Sequence, residues 1–125
     1  MNPKHNKDAW AAYMREYRKN NPSKMKAIDL KKRFGITLEI YNSMLNEQNG
    51  VCKICSEAEK SIDPRTKTVR HLAVDHCHTT GKIRGLLCSD CNTAVGLLKD
   101  SFTLLRKAAL YVEDSTNERA SALSL

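Results

Sequence analysis

Two Cys-x-x-Cys pairs, Cys52-Lys53-Ile54-Cys55 and Cys88-Ser89-Asp90-Cys91, have 32 residues between them. Each pair can place two thiolates on one ion, and two pairs complete a tetrahedral four-sulfur shell of the kind zinc prefers. A closed shell is structural, because zinc with no open position cannot act on a substrate. The need is plain in a chain of 125 residues, the size of one ordinary domain. A hairpin and one helix bury too little apolar surface to hold themselves together. Structural zinc contributes on the order of 10 kcal/mol of apparent binding energy to such a unit. A thioredoxin-type redox pair would be a single Cys-x-x-Cys in a βαβ setting, and ordinary buried cysteines would need no such spacing. The fifth cysteine, Cys77, is expected to be a small buried hydrophobe. Five cysteines fit poorly with a complete disulfide framework. The opening MNPKHNKDAW has no apolar stretch of the secretory kind, which sets the expectation of a reducing, cytoplasmic location. No apolar run approaches the roughly 18 residues that span a bilayer, so no membrane partner is expected.

Patterning places the cysteines in a coarse map. Residues 8–19 read as a helix with Trp10, Tyr13, Met14 and Tyr17 on one stripe, more in keeping with core packing than with stacking on bases. Asn20-Asn21-Pro22-Ser23 breaks it, and a second basic helix over 24–34 stops at Gly35. A third helix covers 37–48, with Thr37 as N-cap and Leu38, Tyr41 and Leu45 on one face. Next come a short strand at 69–74, a turn at His78-Thr79-Thr80-Gly81, and a second strand at 82–87. Ser89 is placed to cap a helix carrying Cys91, Asn92, Val95, Leu97 and Leu98. The block therefore reads β-β-α. A last helix over 101–112 carries Phe102, Leu105, Ala109 and Val112 on one stripe, and the polar end is expected to fray.

The net charge of +7 is concentrated. In residues 1–35 ten Lys and Arg stand against Asp8, Glu16 and Asp29, while the rest of the chain is balanced. A basic arm of this kind is an electrostatic footprint for a polyanion, with nucleic acid the expected partner; the alternative is a solubilising tail. Nothing in it is suited to reading base edges, so little sequence specificity is expected.

With four cysteines assigned to zinc, Asp75, His76, His78 and Asn92 need a second account. A carboxylate oxygen and an amide oxygen suit a hard cation such as Mg2+ or Mn2+. Closing the hairpin would bring the end of the first strand beside the start of the helix, where Asn92 follows the zinc ligand Cys91. Asp75 and Asn92 could then hold one divalent cation. A neutral imidazole beside it, His76, is a competent general base near neutral pH. His78 is open: a second catalytic or phosphate-contacting group, or a cap on the turn. Asp90 fits the dipole of its helix better than a metal, and His5 and His71 carry no motif.

The run VDHCHTTGKIRGLLCSDCN, with CKIC upstream and the lead-in RFGIT…Y…ML…Q.G.C..C, resembles the phage recombination endonuclease VII family of His-Asn-His, or ββα-metal, nucleases. The likeness covers residues 34–99. It implies an α+β fold with a small zinc-stabilised ββα-metal (His-Me finger) core flanked by helices. It also implies structural zinc at Cys52, Cys55, Cys88 and Cys91, and catalytic Mg2+ or Mn2+ at Asp75 and Asn92. His76 would be the general base, His78 matches a second family histidine, and cleavage would leave 5′-phosphate and 3′-hydroxyl ends. The expected organisation is a basic helical arm over 1–36, a nuclease core over 37–100, and a C-terminal helix and tail over 101–125. The function expected is metal-dependent DNA endonuclease, nicking or junction-resolving, as monomer or homodimer. The alternative is a non-catalytic zinc module that binds nucleic acid; it explains the charge and the cysteines but leaves Asp75 unexplained, since an acid beside phosphate wants a cation between them.

Overall fold

The computed structural model describes residues 6–116 and divides between Met44 and Leu45 into two compact units. The described residues form five helices and a two-stranded sheet, in the order ααα-ββ-αα, which is the α+β class expected.

The first unit begins with α1 (Lys7–Asn20), which Asn6 caps: its side-chain oxygen accepts from the N–H groups of Asp8 and Ala9 at 3.0 and 3.2 Å. The second helix, α2 (Pro22–Phe34), starts two residues earlier than the expected 24. Pro22 sits at the first helical position, where its fixed φ is already helical and its missing N–H costs nothing. Gly35, at φ +70°, ends α2 as expected, donating its N–H to the Lys31 carbonyl. Thr37 Oγ1 accepts from the Ile40 N–H at 3.2 Å and opens α3 (Leu38–Glu47).

Leu30, Ile36 and Tyr41 are the buried residues around these helices. The Lys26 ammonium stands 3.8 Å above the Tyr41 ring. Burial lowers the Lys26 ammonium from its usual value and pushes the Tyr41 phenol up to about 12. The aromatic stripe of α1 departs from the core-packing expectation, since no residue of α1 is buried. Trp10 and Tyr13 stack at 5.5 Å and Tyr13 and Tyr17 at 6.1 Å, with Tyr13 still 49% exposed. The rings satisfy one another along the helix, the i, i+3, i+4 contact that helical spacing allows. Arg15, Arg18, Lys19, Lys24, Lys31, Lys32 and Arg33 are all exposed.

The second unit is built on an antiparallel hairpin of β1 (Ala73–His76) and β2 (Ile83–Leu87). The expected first strand at 69–74 is displaced. Val69 instead pairs with Ile62 in a single bridge. That small side loop is turned by Asp63, whose carboxylate accepts from the Arg65 N–H at 2.9 Å. The turn between the strands falls where the sequence placed it: Gly81 has φ +74° and its N–H reaches the Cys77 carbonyl at 2.7 Å. The fourth helix, α4 (Ser89–Leu97), lies against β1 and is capped by Cys88 rather than Ser89. The fifth, α5 (Phe102–Thr116), half-buries Leu105 but leaves Phe102 and Val112 exposed, so its expected apolar stripe is only partly used.

The core here is small: Leu72, Val74, Leu86 and Leu87 with the Cys52 and Cys88 side chains. Its outer edge is closed by Gln48. The side-chain oxygen accepts from the Leu86 N–H at 2.9 Å, and its amide nitrogen donates to the carbonyls of Leu86 and Val51, each at 2.9 Å. The Lys53 N–H adds a bond to the Leu86 carbonyl at 3.1 Å. One glutamine thus acts as a third strand on the exposed edge of β2. Gln48→Ala is expected to lower stability by about 2–4 kcal/mol, three lost hydrogen bonds at roughly 0.5–1.5 each. A urea melt within about 0.5 kcal/mol of wild type would refute that role. Among the described residues no helix is long and apolar enough to cross a membrane.

Candidate functional site

The four knuckle cysteines converge. One sulfur from each of Cys52, Cys55, Cys88 and Cys91 lies within 4.8 Å of the others, and Cys55 Sγ stands 3.8 Å from Cys88 Sγ. Zinc–sulfur bonds of about 2.3 Å in a tetrahedron put the sulfurs about 3.8 Å apart. The donor set and spacing fit zinc.

Local structure explains the convergence. In each knuckle the first sulfur accepts a backbone N–H inside its own turn: Ile54 N–H to Cys52 Sγ and Cys91 N–H to Cys88 Sγ, both 3.4 Å. Ser56, at φ +60°, turns the chain out of the first knuckle, and its N–H closes on the Cys52 carbonyl at 3.0 Å. Glu59 ties the connecting segment to the second knuckle, its carboxylate accepting from the Ser89 N–H at 2.7 Å. Crowding drives the Cys52 thiol one way and the Cys88 and Cys91 thiols the other. Burial raises the Cys52 thiol, but hydrogen bonds from Cys55, Cys88 and Ile54 outweigh it and bring it down to about 6. Burial and the neighbouring sulfurs push Cys91 up to about 12. A divalent cation held by Cys52, Cys55, Cys88 and Cys91 would favour all four thiolates.

The zinc-type cluster brackets the hairpin. Asp75 and His76 form the end of β1, and Cys77 and His78 enter the turn. The His76 and His78 rings are 4.9 Å apart and tilted by 47°. Asn92 is exposed in the first turn of α4, the helix that packs on β1. Its N–H continues the helix to the Cys88 carbonyl at 2.9 Å. Cys77 is half-buried beside Thr80, whose hydrogen bonds lower its thiol, and it stands outside the sulfur cluster. Asp90 and His71 are exposed, and His5 lies outside the described residues.

Two residues that the motif did not single out stand beside Asp75, in a cleft that His76, His78 and Asn92 do not line. Arg84 donates from Nε to Asp75 Oδ2 at 2.7 Å and from Nη2 to Asp75 Oδ1 at 3.0 Å. The same Nη2 lies 2.7 Å from Asp100 Oδ1. Asp100 Oδ2 accepts from the His78 N–H at 3.4 Å. Arg84 holds the Asp100 carboxyl below the usual carboxylate range, and the two acids raise the guanidinium further. This bridge depends on a bulge. Asp75 pairs with Gly85 and His76 with Ile83, so Arg84 is the extra residue on β2. In a regular ladder the residue beside Gly85 would face away from Asp75; the bulge re-aims it. Gly85, opposite Asp75, is buried, and a Cβ there would come 2.6 Å from Lys53 Cδ. The resulting cleft, of about 370 Å³, is lined by Lys53, Asp75, Arg84 and Asp100, with Leu87 and Leu105 on its apolar side. The one available sequence signal was the basic residue on β2 within cross-strand reach of Asp75.

A four-cysteine cluster that fits zinc, beside a β-hairpin and with its last cysteine in the first turn of the following helix, defines a ββα module. The chain belongs to the recombination endonuclease VII family, whose model matches residues 27–114. It is 38% identical over 80 residues to the gene 59 protein of Mycobacterium phage D29, covering 63% of this chain and 44% of that protein. It is 32% identical over 103 residues to the gene 59 protein of Mycobacterium phage L5, covering 82% of this chain and 58% of that protein. The chain thus spans about half the length of the curated relatives it matches. No solved structure matches.

Proposed function

We propose that this chain is a metal-dependent DNA endonuclease of the His-Asn-His type, braced by structural zinc at Cys52, Cys55, Cys88 and Cys91. The observation that carries this reading is the packing of β1, which ends on Asp75 and His76, against α4, whose first turn carries Asn92 beside the ligand Cys91. Asp75 offers a carboxylate and Asn92 an amide oxygen, hard donors that fit magnesium or manganese. When bound, such a cation supplies charge stabilisation at the phosphoryl and leaving oxygens. His76 takes the proton from a water as that water forms its bond to phosphorus. The bond from phosphorus to the 3′-oxygen breaks, that oxygen takes a proton from solvent water, and the ends are 5′-phosphate and 3′-hydroxyl. His78, with its ring against His76, orients the base or meets the phosphate.

The exposed basic residues of α1 and α2 supply sequence-independent affinity for DNA, each phosphate contact adding about 0.9 to the salt dependence. In this reading residues 1–36 are the DNA-binding arm, 37–100 the nuclease core and 101–125 an accessory helix and tail, working in a reducing, cytoplasmic setting that keeps the thiols free for zinc. One observation favours the non-catalytic alternative: both oxygens of Asp75 are engaged by Arg84. The test is a supercoiled plasmid incubated with the zinc-loaded protein. Nicked or linear DNA is expected with magnesium and not in its absence. Tight DNA binding without cleavage of plasmid or a four-way junction, under magnesium or manganese, would favour the non-catalytic module.

A further inference from the structure

We propose that Arg84 is a latch on the cation site, a positioning residue whose guanidinium competes with the divalent cation for the Asp75 carboxylate, and that Asp100 is the acceptor to which it withdraws. This inference rests on the cation site at Asp75 proposed above.

The geometry is that of a shared donor. Arg84 grips Asp75 in a two-point fork, Nε to Oδ2 at 2.7 Å and Nη2 to Oδ1 at 3.0 Å. The Nη2 that completes the fork is also the one bonded to Asp100, at 2.7 Å. Releasing Asp75 therefore leaves the guanidinium a charged partner. Both carboxylates are largely covered, with side chains 13% and 11% exposed, so leaving either of them unpaired would be costly. A cation on Asp75 would face Arg84 across one carboxylate, and like charges at that range repel. Withdrawal toward Asp100 relieves the repulsion without leaving a charge unpaired.

Asp100 is held in place for this. It and Lys99 are consecutive left-handed residues, at φ +53° and +61°, in the link between α4 and α5. Non-glycine residues in that region cost on the order of 1 kcal/mol or more each and persist only where the surroundings over-determine them. The Asp100 N–H bonds the Val95 carbonyl at 2.9 Å, and its Oδ2 accepts from the His78 N–H at 3.4 Å. The strained link thus presents one carboxylate both to Arg84 and to the backbone next to the paired histidines. On the other strand the bulge places Arg84 on the face of Asp75. Two independent irregularities converge on one guanidinium.

The test is manganese binding by calorimetry and electron paramagnetic resonance on the zinc-loaded full chain, with zinc content and circular dichroism as fold controls. Arg84→Gln is expected to tighten manganese binding about tenfold or more, the scale of one charge-assisted hydrogen bond. Asp100→Asn, which leaves Arg84 with Asp75 alone, is expected to weaken it several-fold. A diffuse field from either charge would act in the same directions, so the double variant decides. If Asp100 acts through the latch, Asp100→Asn has little effect once Arg84 is glutamine. Unchanged or weaker binding in Arg84→Gln overturns the latch, as does an Asp100→Asn effect that persists in full in the double variant. Binding that survives Asp75→Asn overturns the cation site itself, and the latch with it.

Discussion

Cys88→Ser is expected to uncouple zinc from the fold of the second unit. The serine hydroxyl can still accept the N–H that Cys88 Sγ takes at 3.4 Å, so the cap on α4 is retained and the thiolate is what is lost. Four ligands share an apparent zinc binding energy of about 10–16 kcal/mol, so losing one costs roughly 3 kcal/mol or a hundredfold in affinity. The aliphatic core of this unit is Leu72, Val74, Leu86 and Leu87, each adding about 1.5–3 kcal/mol by burial, which leaves little margin. Loss of the cooperative thermal transition at a chelator concentration that wild type withstands is the expected result. Zinc retention and a melting temperature within a few degrees of wild type would show that the sulfur cluster is incidental to the fold.

His76→Ala is expected to reduce cleavage by about 10²- to 10⁴-fold, the usual share of general acid–base catalysis. Zinc content, circular dichroism and DNA affinity should stay at wild-type values, because the exposed basic residues lie on other elements and the sulfurs are untouched. The substitution separates the two readings of this module. A zinc protein that only binds nucleic acid is indifferent to His76, and a nuclease is not. Wild-type cleavage by the alanine variant would remove His76 from the mechanism.

The zinc cluster was legible because thiol spacing is a geometric statement: a Cys-x-x-Cys turn presents two sulfurs whatever surrounds it. The turn at Gly81 was legible for the same local reason, a left-handed glycine, and the helix that carries Cys91 was legible although its cap was placed one residue late. The start of β1 was not. Val69 has strand propensity, but Asp63 turns the chain into a side loop and Ile62, seven residues upstream, takes Val69 as its partner in place of a hairpin strand. The stripe of α1 had the period of a core face, yet its rings stack on one another along the helix surface. Periodicity reports a face and not what covers it. Arg84 and Asp100 were missed because a bulge and two left-handed residues bring them to Asp75, and neither device has a signature in composition. Cys88 displaced Ser89 as the cap because its sulfur is already turned toward the Cys91 N–H.

The most direct test is cleavage by the wild type and by Asp75→Asn, both zinc-loaded, on a plain duplex and on a four-way junction across a magnesium titration. The amide keeps the shape of the side chain and removes its charge, so fold and DNA binding should persist while cleavage collapses on both substrates at every magnesium concentration. Wild-type cleavage that rises with magnesium and is lost in the variant is the result expected of a cation held by Asp75. Equal cleavage by the two proteins, or cleavage by wild type that ignores magnesium, would contradict it.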